Sequence, residues 1–257
     1  MMMKYYQNKS ILITGASSGI GLEFANQLNE VGANLIITAR NEGKLNELAA
    51  NYHSATVIPG DLSDKSFPGQ LYNVIQSKGL EVDILINNAG FGSIGKLLKS
   101  DLDTYESMVQ VNITALTQLC HLFISDMAVK GKGGIINVAS VAAFQPVPYM
   151  NVYSATKAYV KSFSLALHEE YKDKGIVVTA VCPGYTKTNF QNAANMSSDA
   201  VGIKMLPEDV VRQSLIAHKK GKNLVINGVL NKIMAHSNRF IPSSIALAVT
   251  RNLMKKV

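Results

Sequence analysis

The chain of 257 residues, 47% of them hydrophobic, is long enough to bury one large core, and we expect a single domain over residues 1–257. Its two cysteines and five histidines do not cluster, which argues against a disulfide framework and a metal site and favours a reducing, cytoplasmic compartment. The net charge of +7 comes from residues 201–257, which hold ten lysines or arginines and two acidic residues; without a nucleic-acid-binding motif, this charge does not predict nucleic-acid binding.

Short β-branched runs alternate with helix-length segments along the chain. Most runs are apolar at consecutive positions, as strands covered on both faces must be. The alternation predicts an α/β fold, a doubly wound parallel sheet of about seven strands with helices on both faces. The predicted strands are residues 10–14, 34–38, 56–59, 83–87, 134–140, 176–181 and 224–227.

The first strand leads into the glycine-rich segment TGASSGIG, residues 14–21. Its glycines allow a tight turn and a close approach to a ligand, and the following helix directs free N–H groups at an anion such as a pyrophosphate. The spacing G-x-x-x-G-x-G differs from the dinucleotide fingerprint G-x-G-x-x-G, but the position between a strand and a helix is the one that such a site requires. The residues that this helix should bury are Leu22, Ala25, Leu28 and Val31, before it ends at Gly32.

The second strand ends in Ala39 and Arg40. In dinucleotide sites an acidic residue at this point binds the ribose hydroxyls, whereas an arginine accommodates a 2′-phosphate. Because the segment has no carboxylate before Glu42, Arg40 favours NADP(H) over NAD(H). The alternative interpretation is that Arg40 is an ordinary solvated charge of the loop.

The segment YSATK, residues 153–157, places a phenol and an ammonium four residues apart. In a helix these positions share one face, so Tyr153 and Lys157 can address the same point in space. A cation about 4 Å from a phenol contributes about 4 kcal/mol at an effective dielectric of about 20, or roughly three pK units, so Lys157 and an oxidised nicotinamide could together bring the pKa of Tyr153 towards neutral pH. Two snorkelling side chains on a surface helix are the alternative.

Seven motifs in order resemble the short-chain dehydrogenase/reductase family over nearly the whole chain. They are TGASSGIG at 14–21, DL at 61–62, NNAG at 87–90, Asn112, Ser140, YSATK at 153–157 and PG at 183–184. The resemblance implies a Rossmann-type fold and a carbonyl reductase that prefers NADP(H).

The resemblance also implies a catalytic set of Asn112, Ser140, Tyr153 and Lys157. Tyr153 would move a proton, and Ser140 would donate a hydrogen bond to the substrate oxygen. Lys157 would tune the phenol and bind the nicotinamide ribose, and Asn112 would help to hold a water that connects the lysine to solvent. The implied cofactor-binding residues are Gly15, Ser17, Ser18, Gly19, Ile20, Gly21, Arg40, Asp61, Leu62, Asn88, Ala89, Gly90, Tyr153, Lys157, Pro183, Gly184 and Thr188.

The expected cleft has an apolar wall, which favours an apolar carbonyl substrate such as a 3-oxoacyl thioester, a steroid-like ketone or an aromatic aldehyde. The expected function is reduction of this carbonyl to an alcohol by NADPH. An NAD-dependent alcohol dehydrogenase and a non-catalytic NADPH-sensing regulator are the alternatives. Residues 185–206 predict a substrate lid, or else a structured surface excursion. The wall residues are Phe91, Val141, Ala142, Ala143, Phe144, Tyr149, Tyr185 and Phe190.

Residues 228–257 form a basic C-terminal extension with many apolar positions. Pro242 and Ser243 interrupt it, which predicts two helices. We favour contacts with the fold or with a second subunit, and therefore a homo-oligomer, over contact with an anionic membrane surface. The first ten residues are too short and polar for a signal peptide, and no apolar run reaches the length of a membrane span, so a soluble protein is expected.

Overall fold

Seven parallel strands form one sheet in the order β3-β2-β1-β4-β5-β6-β7. The computed structural model describes residues 3–188, 190, 204–237 and 242–254. The predicted Rossmann-like α/β fold is confirmed, and each predicted strand is found within two residues of its expected bounds. The strands are β1 (Ser10–Thr14), β2 (Asn34–Thr38), β3 (Ala55–Val57), β4 (Ile84–Asn87), β5 (Gly133–Val138), β6 (Ile176–Cys182) and β7 (Leu224–Ile226).

The central strands are buried on both faces, which explains their continuous apolar runs. Successive side chains of a strand point to opposite faces of the sheet. Accordingly, Leu12 of β1 packs with Leu85 of β4 in one core cluster. Ile11 and Ile13 pack with Ile84 in the cluster on the other face. Helices cover both clusters, so the parallel sheet is shielded from water on each side.

The described helices are α1 (Gly19–Glu30), α2 (Glu42–Ala50), α3 (Phe67–Ser77), α4 (Leu102–Val109), α5 (Leu116–Lys130), α6 (Asn151–Tyr171), α7 (Pro207–Lys219), α8 (Val229–Ser237) and α9 (Ser243–Met254). The predicted buried stripe of α1 is partly wrong, because Leu22 and Val31 are only partly buried and Phe24 is fully buried. Gly21 lies against the preceding turn, and this close approach brings Phe24, with Ala25 and Leu28, onto the sheet side.

A single helical stretch, Leu102–Lys130, joins α4 to α5 through a π-helical turn at Gln110–Ala115. By length and composition alone this stretch could cross a membrane, contrary to the expectation that no apolar run reaches the length of a membrane span. In the fold, 56% of its most apolar window is buried. Leu119 and Phe123 of α5 lie in the core cluster beneath the sheet, so the apolar composition of this helix serves core packing.

Candidate active site

The predicted site residues follow the carboxyl ends of successive strands. In a parallel sheet these ends lie along one edge, and a ligand site forms where the strand order reverses, here between β1 and β4. The structure therefore brings the sequence motifs together at one edge. The glycine turn follows β1, Arg40 follows β2, Asp61 follows β3, Asn88–Gly90 follow β4, Ser140 follows β5 and Pro183–Gly184 follow β6.

The glycine turn has a backbone that only glycine accommodates well. Gly15 has a φ of +66°, in the left-handed region, and its N–H donates to the carbonyl of Thr38 at 2.8 Å. A Cβ atom on Gly21 would lie 2.2 Å from the carbonyl oxygen of Gly15. The first turn of α1 therefore sits directly on the loop, as in sites where a helix start approaches a phosphate.

The start of α1 is open to an anion. Ser18 occupies the N-cap with an extended backbone, and its side chain makes no capping hydrogen bond. The first N–H groups of a helix have no intrahelical acceptor, so those of Gly19, Ile20 and Gly21 can face a ligand. Thr188 closes this region from the other side, because a Cβ on Gly19 would lie 3.3 Å from the Thr188 Cβ.

Thr14 ties the glycine turn to the NNAG turn after β4. Its Oγ1 accepts hydrogen bonds from the backbone N–H groups of Asn88 and Ala89, each at 3.0 Å. The Asn88 Nδ2 returns a bond to the Thr14 carbonyl at 3.0 Å and to the Gly15 carbonyl at 3.3 Å. The two loops that would hold a dinucleotide are thus fixed relative to each other.

The positions at the ends of β2 and β3 differ in exposure. Arg40 is exposed, and no hydrogen bond or ion pair engages its guanidinium in the described ranges. Asp61 is half-buried and accepts a bond from the Ser63 N–H at 2.9 Å, which fixes the carboxylate in a turn. Leu62 is 8% exposed and packs inward with the core beside Phe67. The exposed guanidinium of Arg40, at the end of β2, is therefore available to a ligand.

Three of the four predicted catalytic side chains meet at the centre of the edge. Tyr153 and Lys157, one helical turn apart on α6, are only 8% and 5% exposed. The Lys157 Nζ donates to the carbonyl of Val138 at 2.8 Å and lies 5.8 Å from the centroid of the Tyr153 ring. The Ser140 hydroxyl lies near the Tyr153 hydroxyl, where a hydrogen bond between them would lower the pKa of the phenol. The surface-helix interpretation of YSATK is therefore wrong, since both side chains are buried.

Burial dominates the titration of both groups in the ligand-free protein. It raises the pKa of Tyr153 to about 12, although the hydrogen bond with Ser140 opposes the rise. It lowers the pKa of Lys157 to about 8. Removal of water from the phenol therefore dominates the pKa of Tyr153 in the ligand-free protein, whereas the predicted lowering concerns the site with Lys157 and an oxidised nicotinamide together, and it stays a prediction.

Asn112, the fourth predicted catalytic residue, lies in the π-helical turn and is 1% exposed. Its Oδ1 accepts from the Phe91 N–H at 3.1 Å, and its Nδ2 donates to the Phe91 carbonyl at 2.9 Å and to Thr156 Oγ1 at 3.0 Å. A Cβ on Gly90 would lie 2.9 Å from Asn112 Oδ1 and 3.3 Å from Lys157 Nζ. The side chain of Asn112 thus fixes the NNAG turn against α6, next to the lysine.

The loop after β6 connects the site to the C-terminal helices. The Pro183 carbonyl accepts from the N–H of Val141 at 3.0 Å, which joins this loop to the one that bears Ser140. A Cβ on Gly184 would lie 2.1 Å from the Nδ2 atom of Asn231 on α8. Within the described structure, Pro183 and Gly184 therefore connect the loop that bears Ser140 to helix α8.

An apolar cluster surrounds the Tyr153 ring. Phe91, Ala142 and Phe190 belong to it as predicted, and the Phe190 ring lies 5.5 Å from that of Tyr153. Val141 and Phe144 instead pack against the main core. Residues 189 and 191–203 of the expected lid lie outside the described residues. The remaining described members of the cluster are Ile94, Tyr105, Met108, Val147, Met150, Val152 and Met254.

Some site residues were not found from the sequence. Thr14 and Thr156 organise the site through hydrogen bonds to Asn88 and Asn112, and the one available signal was that each lies inside a recognised motif, TGASSGIG and YSATK respectively. Met254, on the last described helix, packs in the cluster around Tyr153. A local sequence pattern does not predict a contact between residues so far apart in the chain.

Comparison with known proteins identifies the family. A family model described as short chain dehydrogenase matches residues 9–199. An uncharacterized oxidoreductase of Staphylococcus aureus (strain N315) is 32% identical over 231 residues, which cover 88% of this chain and 98% of that protein. The very-long-chain 3-oxoacyl-CoA reductase of Anas platyrhynchos is 34% identical over 215 residues, which cover 79% of this chain and 67% of that protein.

A solved structure described as a short-chain dehydrogenase from Sphingobium yanoikuyae in complex with NADPH superposes with a TM-score of 0.82 at 28% identity, and the match covers 97% of this chain and 96% of that one. The same fold thus extends over nearly the full length of both chains. The chain belongs to the short-chain dehydrogenase/reductase family, whose members are NAD(P)(H)-using oxidoreductases that act on CH–OH groups and carbonyls.

Proposed function

We propose that this oxidoreductase uses NADPH to reduce the carbonyl group of an apolar substrate to an alcohol. The observation that carries the proposal is the meeting of Ser140, Tyr153 and Lys157 at the carboxyl edge of the sheet, beside an open helix start. A phenol, a hydroxyl and an ammonium at one point provide a proton, a hydrogen bond and a positive field. Reduction of a carbonyl needs all three at the substrate oxygen.

The residues present fit a dinucleotide. The uncapped start of α1 offers N–H groups to a pyrophosphate, and the left-handed Gly15 keeps the turn clear of side chains. Asn88–Gly90 would line the nicotinamide side, with Lys157 at the ribose. The nearby Thr188 would close the site over the phosphates.

Ser140 is oriented to donate a hydrogen bond. Its Oγ accepts from the N–H of Ala142 at 3.1 Å, which occupies one lone pair of the hydroxyl. The hydroxyl proton can therefore point to a substrate oxygen beside Tyr153. A donor fixed where negative charge develops lowers the barrier without reorganisation of solvent.

Tyr153 would deliver the proton. When bound, NADPH would supply a hydride to the carbonyl carbon, and the hydroxyl of Tyr153 would give its proton to the carbonyl oxygen. Since burial holds the pKa of Tyr153 at about 12, the phenol is protonated at neutral pH and starts the reaction as an acid. The phenolate that forms gains stability from the positive charge of Lys157, whose pKa of about 8 keeps it mostly protonated at pH 7.

Two features support the preference for NADPH. Arg40 stands exposed at the end of β2, where an acidic side chain would repel a 2′-phosphate. The structural relative from Sphingobium yanoikuyae is described as a complex with NADPH. An arginine can make two parallel hydrogen bonds to one phosphate, which favours the phosphorylated ribose over the free hydroxyls.

Two features support an apolar substrate. The cluster around Tyr153 consists of aromatic and aliphatic side chains, including Phe91, Met150 and Phe190. The relative from Anas platyrhynchos is named for a very-long-chain 3-oxoacyl thioester. A long acyl chain would gain affinity from burial in such a cluster.

The test is to mix the purified protein with NADPH or NADH and a carbonyl panel, and to follow the absorbance of the reduced cofactor. The panel should contain long-chain 3-oxoacyl thioesters, steroid-like ketones, aromatic aldehydes and short polar ketones. We expect faster oxidation of NADPH than of NADH, and turnover that rises with the apolar size of the substrate. A preference for NADH, or for short polar ketones, would overturn the corresponding part of the proposal.

A further inference from the structure

The two C-terminal helices expose large apolar side chains. On α8 the exposed fraction is 73% for Val229 and 58% for Ile233, and on α9 it is 54% for Ile245 and for Val249. A surface helix ordinarily shows polar residues on its outer side, so this outer side is suited to a partner. The C-terminal face comprises Val229, Leu230, Ile233, Met234, Ile245, Val249 and Leu253.

Each helix is held to the fold by its opposite side. On α8 the buried residue is Ala235, which lies in the main core cluster. On α9, Thr250 accepts a hydrogen bond from Gln145 Nε2 at 3.1 Å, and Met254 packs in the cluster around Tyr153. The orientation of both helices is therefore set by contacts with the body of the protein, and the exposure of the apolar side chains follows from it.

The two helices also flank the same part of the candidate active site. Helix α8 contacts the short 3₁₀ helix Val141–Phe144, and α9 bonds to Gln145, the next residue. This segment begins directly after Ser140. A partner seated on the C-terminal face would consequently lie beside the substrate cleft.

The charge around this face is of one sign. From Val210 to Val257 the sequence has nine lysines or arginines and no aspartate or glutamate. Lys232 on α8 and Arg251 on α9 are exposed among the apolar residues. The partner must therefore offer negative charge together with an apolar environment.

A second copy of the chain does not meet this requirement. A two-fold symmetric contact places the same patch against itself. Basic residues such as Lys232 and Arg251 would then face other basic residues from a segment, Val210 to Val257, that has no aspartate or glutamate to neutralise them, and like charges across an interface are costly. The sequence alone favoured protein contacts for this region, and the exposure and charge of the two helices reverse that preference.

We propose that the C-terminal face docks on the surface of an anionic lipid membrane. Anionic headgroups would attract the basic residues, and the boundary with the acyl chains would accept the apolar side chains in the same layer. Because Met254 packs both in α9 and in the cluster around Tyr153, docking would bring that cluster close to the lipid. An apolar substrate dissolved in the membrane would then have a short path to the cleft.

A second exposed segment lies near the same cluster. In the segment Lys96–Leu102, Leu98 is 95% exposed and Leu102 is 77% exposed. Its neighbour Ile94 shares the apolar cluster with Met254. This segment also contains Asp101, so its charge, unlike that of the C-terminal face, is not of one sign.

The experiment is sedimentation of the full chain with vesicles, and it measures binding without turnover. We expect the protein to pellet with vesicles of phosphatidylcholine and phosphatidylglycerol in equal parts, and not with pure phosphatidylcholine. Added salt should weaken the binding, because it screens the attraction between headgroups and basic residues. Lys232→Gln and Arg251→Gln should each weaken it roughly fivefold.

The apolar contribution is tested with two matched valines. Val249→Glu should abolish pelleting, whereas Val129→Glu, at an 88% exposed valine at the end of α5, should leave it unchanged. Circular dichroism and NADPH binding would establish that both variants are folded. Both variants have the same change in net charge, so a difference between them reports the location of the apolar side chain.

Three results would overturn the proposal. One is the absence of pelleting with the anionic vesicles. Another is equal loss of binding in Val249→Glu and Val129→Glu, which would assign the binding to net charge alone. The third is a wild-type oligomer that Val249→Glu dissociates in sedimentation velocity without any vesicle binding, which would assign the C-terminal face to a second copy of the chain.

Discussion

The carboxyl edge of the sheet and the C-terminal helices are built on opposite principles. At the edge, polar side chains such as Thr14, Asn112 and Lys157 are buried, and each is hydrogen-bonded to a different element. On α8 and α9, apolar side chains are exposed and few residues are buried. The edge fixes the geometry of reacting groups, whereas the helices offer a surface. Substitutions at the edge should therefore alter the reduction reaction, and substitutions on α8 and α9 should alter binding to the membrane.

The largest effect is expected for Tyr153→Phe, which keeps the ring and removes the transferable proton. Turnover should fall roughly 10²- to 10⁴-fold, the usual contribution of general acid catalysis, while NADPH still binds. Fluorescence titration of NADPH alongside the reduction rate measures both. Tyr159→Phe on the same helix, which loses only a bond between its hydroxyl and Thr117, is the control. Near-normal turnover of Tyr153→Phe would remove the mechanism.

The next effect is expected for Lys157→Met, which should lower turnover roughly 10²-fold, as loss of one stabilising donor does. Unlike Tyr153→Phe, it should also weaken NADPH binding, measured by the same titration. Lys161→Met, one turn further along α6 and over the Phe144 ring, is the control. Unchanged NADPH binding in Lys157→Met would contradict a role for this lysine at the ribose.

The pH dependence sharpens the assignment of Lys157. Its pKa of about 8 is below the ordinary 10.5 of an unfolded chain, so the unfolded state binds more protons between these values. Lys157 should therefore raise the free energy of unfolding as the pH rises from about 8 to about 10. This increase should be absent in Lys157→Met. The reduction rate should instead fall as the pH rises through about 8, because the charged lysine is needed. Urea unfolding and initial rates across this range measure the two trends, and parallel trends would refute the assignment.

A smaller effect is expected for Arg40→Asp, which tests cofactor choice. The Michaelis constant for NADPH should rise roughly 10- to 100-fold, as loss of charged hydrogen bonds does, with little change for NADH. Lys44→Asp, in the next helix, makes the same change of charge and should affect NADPH far less. If Arg40→Asp raises the Michaelis constants for NADPH and NADH equally, Arg40 does not bind the 2′-phosphate.

Two threonines that are register partners allow a matched stability test within the edge. Thr14 and Thr38 pair across β1 and β2 and are both 1% exposed. The hydroxyl of Thr14 accepts two N–H groups, whereas that of Thr38 has no hydrogen-bond partner. Thr14→Val should cost about 1–3 kcal/mol and Thr38→Val about zero or a slight gain. Equal costs in urea unfolding would show that the loop network is not held by Thr14.

The smallest effect is expected for Thr250→Val, which removes the bond from Gln145 to α9. The cost should be about 0.5–1.5 kcal/mol, and it should appear as faster hydrogen exchange in α9 with exchange in β1 unchanged. A double-mutant cycle with Gln145→Ala isolates the interaction between Gln145 and Thr250. If the costs of the two substitutions simply add, the hydrogen bond does not stabilise α9.

Much of the fold and of the candidate site could be predicted because the relevant signals are local. Consecutive apolar runs reveal buried strands, and once strands are parallel their ends must share an edge, so Gly15, Asn88 and Ser140 could be placed together. The burial of Phe24 was missed because it depends on how closely Gly21 approaches the turn. The raised pKa of Tyr153 in the ligand-free protein was missed because a residue pattern contains the neighbouring charge but not the loss of water.

The π-helical turn at Asn112 has a consequence for the phase of the long helix that contains it. Each residue of an α-helix turns the face by about 100°, so one extra residue per turn shifts every later side chain by about that angle. Met108, before the turn, faces the cluster around Tyr153, and Leu119 and Phe123, after it, face the sheet. Regular α-helical winding of Gln110–Ala115, with the number of residues unchanged, would rotate α5 out of its core. The packing of α5 therefore depends on the π-helical turn as well as on its own side chains.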